Sequence, residues 1–308
     1  MNQLNKVVLA GGSGYIGSVL ADFYRDKAAE VIILSRKKLA DKGNVRTVLW
    51  DAKHLDSWVD ELEGIDLLIN LTGKNVNCRY TQKNRDEILN SRIDATSVLG
   101  QAIQTLKSPP GVWIQCASAT IYRHAEDRFM DEDNGEIGSG FSVDVCKAWE
   151  EILWKQETPL TRKVLLRTGI VLGKSDGVFP RLLNMVRSGL GGKQGNGKQY
   201  MSWIHEADVA GIIQWLYMNK AVSGTFNSTA PTPLPNAEFM DTIRKAIGIP
   251  VGLPAPAWLL TLGAWIIGTE TELILKSRWV MPTKLLEAGY QFRFPDLHSA
   301  IRDIVHEK

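Results

Sequence analysis

The chain has 308 residues, 44% of them apolar and 23% charged, with a net charge of +2. This is ordinary globular composition, long enough for one large α/β unit plus an appended lobe. It excludes charge-driven binding to nucleic acid or an anionic membrane as a partner class, and the scattered Cys78, Cys116 and Cys146 form no Cys-x-x-Cys pair, so reduced thiols and a cytoplasmic setting are expected.

Residues 1–5 are polar and lead into an apolar, β-branched run at 6–10, so no signal peptide is expected. Gly11-Gly12-Ser13-Gly14-Tyr15-Ile16-Gly17 follows, and apolar residues then recur at helical spacing at Ile16, Val19, Leu20 and Phe23. The stretch reads as strand, glycine turn and helix start. Gly11 permits the tight turn, Gly14 lets backbone approach a pyrophosphate, and Gly17 lets the helix pack against the strand. Unpaired N–H groups at the helix start would face the phosphates, with the positive dipole end behind them. Gly11, Ser13, Gly14, Tyr15, Ile16 and Gly17 are therefore candidate cofactor residues.

The second strand, residues 31–35, ends at Ser35-Arg36-Lys37-Lys38. An NAD-selective protein usually carries Asp or Glu here to bond the ribose 2′-hydroxyl. With cations in that place, Arg36 would neutralise a 2′-phosphate and stack on adenine, so the expected cofactor is NADP (as NADPH); the alternative is a solvated basic turn. The third strand covers residues 45–49. Asp51 beyond it could accept from the adenine amino group, or simply cap a turn. The fourth strand, 66–71, is followed by Thr72-Gly73, where Leu71, Thr72 and Gly73 would let backbone pass beneath the cofactor ribose. A long polar helix over about 81–106 is stopped by Pro109-Pro110. The fifth strand, 112–117, ends at Ser118; a helix over about 142–156 carries Lys147; the sixth strand covers 164–168. Strand and helix alternate, which predicts a doubly wound parallel sheet of Rossmann type with helices on both faces.

After Gly173 the rhythm changes. Residues 189–197 are rich in glycine and read as a mobile loop, because they lack the strand-to-helix context of a second phosphate site. Residues 200–205 read as one short strand and 206–219 as a helix with Asp208 in its first turn. Pro231, Pro233 and Pro235 lead into a small, mainly helical C-terminal lobe. The most apolar segment, 255–268, is shorter than the roughly 20 apolar residues a membrane span needs, so no membrane is expected and the segment reads as a buried or interface helix. The expected organisation is a cofactor domain over 1–172, rejoined by 199–230, and a substrate lobe formed by 173–198 and 231–308.

These motifs together resemble the extended short-chain dehydrogenase/reductase superfamily. The likeness is nearest to its atypical branch of NAD(P)-dependent epimerase-family proteins with a C-terminal domain of unknown function. It covers essentially the whole chain. Besides the glycine turn it rests on Asn70-Leu71-Thr72-Gly73, Ser91-Arg92 with Thr96, Ala117-Ser118-Ala119, residues 145–150, Ser202-Trp203-Ile204-His205, and Pro282 through Tyr290. The resemblance implies a catalytic set of Asn, Ser, Tyr and Lys, in which the Lys bonds the nicotinamide ribose and lowers the Tyr pKa from about 10. Ser118 matches the serine and Lys147 the lysine. The tyrosine position, four residues before Lys147, holds Val143, and Arg92 stands where the helix usually presents Asn. Both departures are typical of the atypical branch, and they put the ordinary Tyr-based mechanism in question.

Arg92, if inward-facing, could bond the cofactor or a substrate anion. Tyr80 lies on a loop at the ligand-binding edge of the sheet and could supply a proton, although a packing role is the commoner one for such residues; Tyr122 and His205 read as structural. Five scattered histidines give no metal site. Two functional readings follow. One is an NADP-dependent oxidoreductase or epimerase-like enzyme acting on a small carbonyl or hydroxyl substrate. The other is a sensor or scaffold that binds NADP(H) without turnover. A third, weaker reading takes residues 258–267 as a membrane-surface or homodimer helix.

Overall fold

The computed structural model describes residues 4–261, 270 and 272–306. Its strands in chain order are β1 (Leu4–Ala10), β2 (Ala28–Ser35), β3 (Val45–Leu49), β4 (Leu67–Asn70), β5 (Val112–Ser118), β6 (Arg162–Thr168), β7 (Ile170–Leu172), β8 (Tyr200–Met201), β9 (Trp203–His205), β10 (Gly224–Ser228) and β11 (Leu234–Pro235). The helices are α1 (Tyr15–Arg25), α2 (Gln82–Thr105), α3 (Phe141–Trp154), α4 (Phe179–Arg187), α5 (Glu206–Met218), α6 (Asn236–Ala246), α7 (Glu272–Leu275), α8 (Thr283–Glu287) and α9 (Leu297–His306). Seven strands form one parallel sheet in the order β10-β6-β5-β4-β1-β2-β3.

The strand sequences are apolar at successive positions because both faces of this sheet are covered. Val7, Leu9, Val31 and Ile33 point to the layer of α1 and α5, where they meet Leu20, Tyr24, Ile212 and Leu216. Val8, Ile32, Leu34 and Trp113 point the other way, to Leu99 and Ile103 of α2, Trp149 and Leu153 of α3, and Trp58. Each such side chain, fully buried, stabilises by roughly 1.5–3 kcal/mol over its exposed state. The polar helix α2 starts at Thr81, whose hydroxyl accepts from the Asn84 N–H. The chain winds outward from β1 to β3 and then, through β4, in the opposite direction. The seam between β1 and β4 is thus the switch point, where crevices open in folds of this kind.

A separate apolar cluster joins Leu182 of α4, Phe239 and Ile243 of α6, Trp203, and Leu297 and Ile301 of α9. The strand expected over 200–205 is two strands. β8 pairs antiparallel with β11, while β9 pairs parallel with β7 and does not re-enter the main sheet. The break falls at Ser202, whose hydroxyl accepts from the Val280 N–H at 2.8 Å and contacts the Arg278 carbonyl at 2.6 Å, tying that point to the C-terminal segment. The strand that rejoins the main sheet is β10.

The glycine-rich stretch 189–197 is held, not left as a free loop. Its backbone exchanges hydrogen bonds with 253–255: Gly192 to Leu253, Gly195 to Ala255, and Ala255 to Lys193. A Cβ on Gly192 would lie 2.6 Å from the Gly252 carbonyl oxygen, so small residues here permit backbone-to-backbone packing. The helix expected over residues 258–267 lies mostly outside the described residues; Trp258, within them, is 69% exposed. No helix among the described residues is long and apolar enough to cross a membrane.

Candidate functional site

A cleft of about 600 Å³ opens over the β1/β4 seam, within the range of small-ligand sites. Of the residues expected to hold a cofactor, Gly11, Ser13, Gly14, Ser35, Arg36, Asp51, Leu71, Thr72 and Gly73 line it. Gly11 has φ +72°, and a Cβ there would stand 2.6 Å from the Thr72 hydroxyl, so the turns after β1 and β4 touch. Asn70 holds the second turn in shape. Its carbonyl accepts from the Thr72 N–H at 3.0 Å, and its amide donates to Gln115 at 2.9 Å. A Cβ on Gly14 would meet nothing within 4 Å. That open space lies at the start of α1, which no side chain caps, so its first N–H groups are available to an anion. The cradle therefore fits a dinucleotide pyrophosphate.

At the far end of the cleft the cations differ in what they already hold. Lys53 pairs with Asp94 at 3.2 Å, and Lys74 pairs with Glu87. Arg36, at the end of β2, also lines the cleft and has no carboxylate within 4.0 Å among the described residues. Asp51 also lines the cleft, but its carboxylate caps the next turn, accepting from the Lys53 and His54 N–H groups at 2.8 and 2.9 Å. The His54 N–H, then the His54 imidazole at 2.6 Å, then the Lys53 N–H hold its pKa down at about 2.

The remaining expected residues do not line this cleft. Gly17 serves packing, since a Cβ there would collide with the Gly12 backbone. The Ile16 side chain packs against the core under α1. Tyr15 turns away toward α5 and donates its hydroxyl to Glu206, and burial followed by that bond pushes its pKa up. Ser118, at the end of β5, accepts from the Thr120 N–H at 3.2 Å.

Arg92 is an inward residue, not a surface one. Its guanidinium lies 4.8 Å from the Trp149 ring centroid and donates to the carbonyls of Ile88 (2.8 Å) and Lys74 (3.2 Å). A Cβ on Gly73 would lie 2.8 Å from its Cζ, so the floor of the cleft passes directly over the cation. Desolvation lowers its pKa, yet a guanidinium stays charged.

The expected role of Lys147 at the cofactor is not supported by its position. Its side chain is 55% exposed and lies 3.8 Å from Asp144 on the solvent face of α3. The helix is rotated so that Val143, Cys146 and Glu150 point inward instead. Val143 packs with Ala119, Tyr122, Met130 and Val280 in a dry cluster. Cys146 is buried beside Arg92, Lys276 and Arg278, its thiol pushed up to about 12 by desolvation. Glu150 forms a buried bidentate pair with Arg167, at 2.8 and 2.7 Å.

Beyond β5, segments distant in sequence meet. Lys276 donates to the Thr120 carbonyl at 3.1 Å, and Arg278 to the Thr120 hydroxyl at 3.2 Å. Ser142 donates to Glu272 at 3.1 Å, and Tyr80 packs edge-on against Phe141 at 5.0 Å. Sequence reading passed over Lys276, Arg278 and Glu272, because nothing in the local pattern marks them as neighbours of Ser118. His205 is structural: its Nδ1 accepts from the Ala207 N–H at 3.1 Å, capping α5. No cluster of metal-ligating side chains occurs among the described residues.

Comparison with known proteins gives the family and the fold. The sequence matches the NAD dependent epimerase/dehydratase family over residues 7–227, and a domain of unknown function, DUF1731, over 255–304. It is 31% identical over 304 residues to the epimerase family protein SDR39U1 of Mus musculus, covering 97% of this chain and 99% of that one. It is likewise 31% identical over 303 residues to the epimerase family protein YfhF of Bacillus subtilis (strain 168), covering 98% of each. Among solved structures, human SDR39U1 (isoform2) with NADPH superposes with a TM-score of 0.86 at 30% identity, covering 98% of this chain and all of that one. MoeE5 in complex with UDP-glucose and NAD shares the fold, with a TM-score of 0.77 at 19% identity over 98% of each chain.

Proposed function

Because the chain belongs to the NAD dependent epimerase/dehydratase family, an NAD(P)-binding family with this Rossmann-type fold, we propose that it is an NADP-dependent oxidoreductase or epimerase-like enzyme. Its substrate is a small molecule with a carbonyl or hydroxyl carbon. The observation that carries the cofactor choice is Arg36, the cleft cation without a carboxylate partner among the described residues, at the end of β2 where an acidic residue would select NAD. The NADPH bound to the human relative supports the same choice. The pyrophosphate would lie over Gly14 against the first turn of α1, with Gly73 beneath the ribose. The bound cofactor supplies hydride chemistry; the chain orients it and manages the proton. Free Cys78, Cys116 and Cys146 fit a reducing compartment.

A second reading, NADP(H) binding without turnover, is favoured by one feature. Helix α3 presents neither a tyrosine nor a lysine to the site, since Val143 is packed away and Lys147 faces solvent. Titration of NADPH and NADH by calorimetry, followed by NADPH oxidation across a panel of carbonyl compounds, tests both readings. Tighter NADPH binding with turnover is the expected result. Equal affinity for the two cofactors would overturn the NADP assignment.

A further inference from the structure

We propose that Tyr80, carried by the loop after β4, is the catalytic proton donor, its ring set against the first turn of α3 where that helix itself offers only Ser142. The proposal rests on the oxidoreductase reading above and adds the group that moves the proton.

The first turn of α3 is where the family resemblance expects a phenol. Val143 and Cys146 are both spent on packing in one buried cluster, which leaves Ser142 as the polar side chain of that turn. The Cys146 thiol is enclosed by the apolar side chains of that cluster. Other phenols near the site have their hydroxyls committed. Tyr122 donates to Asn227 at 3.0 Å and accepts from Arg167 at 2.8 Å, and Tyr15 donates to Glu206.

Tyr80 differs. Its backbone N–H is pinned by Glu270 at 2.9 Å and its carbonyl by Arg85 at 2.9 Å, while its ring lies edge-on to Phe141, 5.0 Å away. This brings a phenol against the first turn of α3 from a different place in the chain. Glu270, Glu272 and Cys78 surround it as potential negative charges, and Arg92 and Arg278 as cations. Burial raises its pKa, with Glu272 adding to that and the Ser142 hydroxyl opposing it. The phenol is therefore protonated at neutral pH, as an acid must be, and its anion would have two guanidiniums to stabilise it.

In the reductive direction, reduced nicotinamide supplies a hydride to the carbonyl carbon. The carbonyl oxygen takes the electron pair of the broken π bond and then the proton of the Tyr80 hydroxyl, giving the alcohol and a tyrosinate. The tyrosinate recovers its proton from solvent. The Ser142 hydroxyl lies beside it and donates to Glu272 at 3.1 Å, and Glu272 lines a second cavity of about 350 Å³. Ser142 and Glu272 are thus positioning residues. Positioned acid catalysis contributes roughly 10²–10⁴-fold in rate, so Tyr80→Phe should lose turnover in that range.

The deciding measurement does not need the substrate. The full-length protein is labelled with 3-fluorotyrosine, and its seven tyrosines are titrated by ¹⁹F NMR, free and with saturating NADP⁺ or NADPH. Tyr80 is assigned by the resonance missing from Tyr80→Phe, which keeps the ring against Phe141. Should that variant not fold, Glu272→Gln identifies the resonance by its lowered ionisation pH. The positive nicotinamide of NADP⁺ should raise the Tyr80 ionisation constant at least fivefold, and NADPH should not. Tyr80→Phe should keep its NADPH affinity within twofold. A smaller change at Tyr80 with NADP⁺ bound, or a change confined to another tyrosine, overturns the proposal. Absence of NADP(H) binding in calorimetry would instead overturn the oxidoreductase reading itself.

Discussion

The turn after β1 gathers its ligand-facing groups from a few consecutive residues, Gly11 to Gly14, next to the uncapped start of α1. The side-chain cluster beyond β5 takes Tyr80 from a loop, Ser142 from α3, Thr120 from the turn after β5, and Glu272, Lys276 and Arg278 from the C-terminal segment. The first region is a local motif whose chemistry follows from its backbone. The second exists only when the core clusters of two sheet faces and the C-terminal lobe are in place. A single substitution in the first should therefore change binding and leave folding alone. In the second, folding and function should be coupled, because its residues also hold the elements together.

The largest effect is expected from Arg167→Ala, which attacks the support of the second region. It leaves the Glu150 carboxylate buried without its partner and removes the hydrogen bond to Tyr122. Breaking such a pair costs about 3–5 kcal/mol. Urea denaturation checks it; a loss below about 1 kcal/mol would mean that α3 is held by its apolar contacts alone.

Gly14→Val comes next and tests the opposite region. The new side chain enters open space, so circular dichroism should be unchanged, while NADPH affinity should fall at least a hundredfold, or about 2.7 kcal/mol. Gly17→Val is the contrasting control. Its Cβ would collide with the Gly12 backbone, so this variant should fold poorly. Undiminished binding by folded Gly14→Val protein would show that the phosphates lie elsewhere.

Arg36→Glu sharpens the comparison within the first region. Losing a charge-assisted phosphate contact should weaken NADPH binding by roughly 1.5–3 kcal/mol and leave NADH binding little changed. A parallel loss for both cofactors would place Arg36 outside the 2′-phosphate site.

The smallest effect is expected from Lys147→Met. The family pattern alone would have this lysine hold the cofactor ribose, but its exposed pair with Asp144 is worth well under 1 kcal/mol. NADPH affinity and stability should both stay within twofold of the parent protein. A tenfold loss of affinity would mean that α3 turns its other face to the cleft when the cofactor is bound.

Much of the first region was legible in the sequence. The apolar runs gave the strands β1, β2, β3, β5 and β6 to within a few residues, and Thr81 and Pro109 bracketed α2. Gly11, Gly14, Arg36 and Thr72 line one cleft, because each sits at the end of a strand and the parallel order brings those ends together. The second region was legible only as separate residues. Tyr80 and Ser142 are 62 positions apart, and nothing in the helical periodicity of α3 says whether Cys146 or Lys147 faces inward.

By itself the sequence determined the alternation of strand and helix, the all-parallel sheet and the glycine turn, since these follow from side-chain spacing and the conformational freedom of glycine over a few residues. Tertiary structure decided the rest. It paired β9 with β7 instead of the main sheet, because Ser202 is tied to Arg278 and Val280. It packed the glycine-rich stretch against 253–255. It also rotated α3 so that Val143 closes a dry cluster and Lys147 meets solvent. The reason is that a helix's rotation about its axis, and a short strand's choice of partner, are set by which buried contacts are best satisfied together. Those contacts come from segments far apart in the chain.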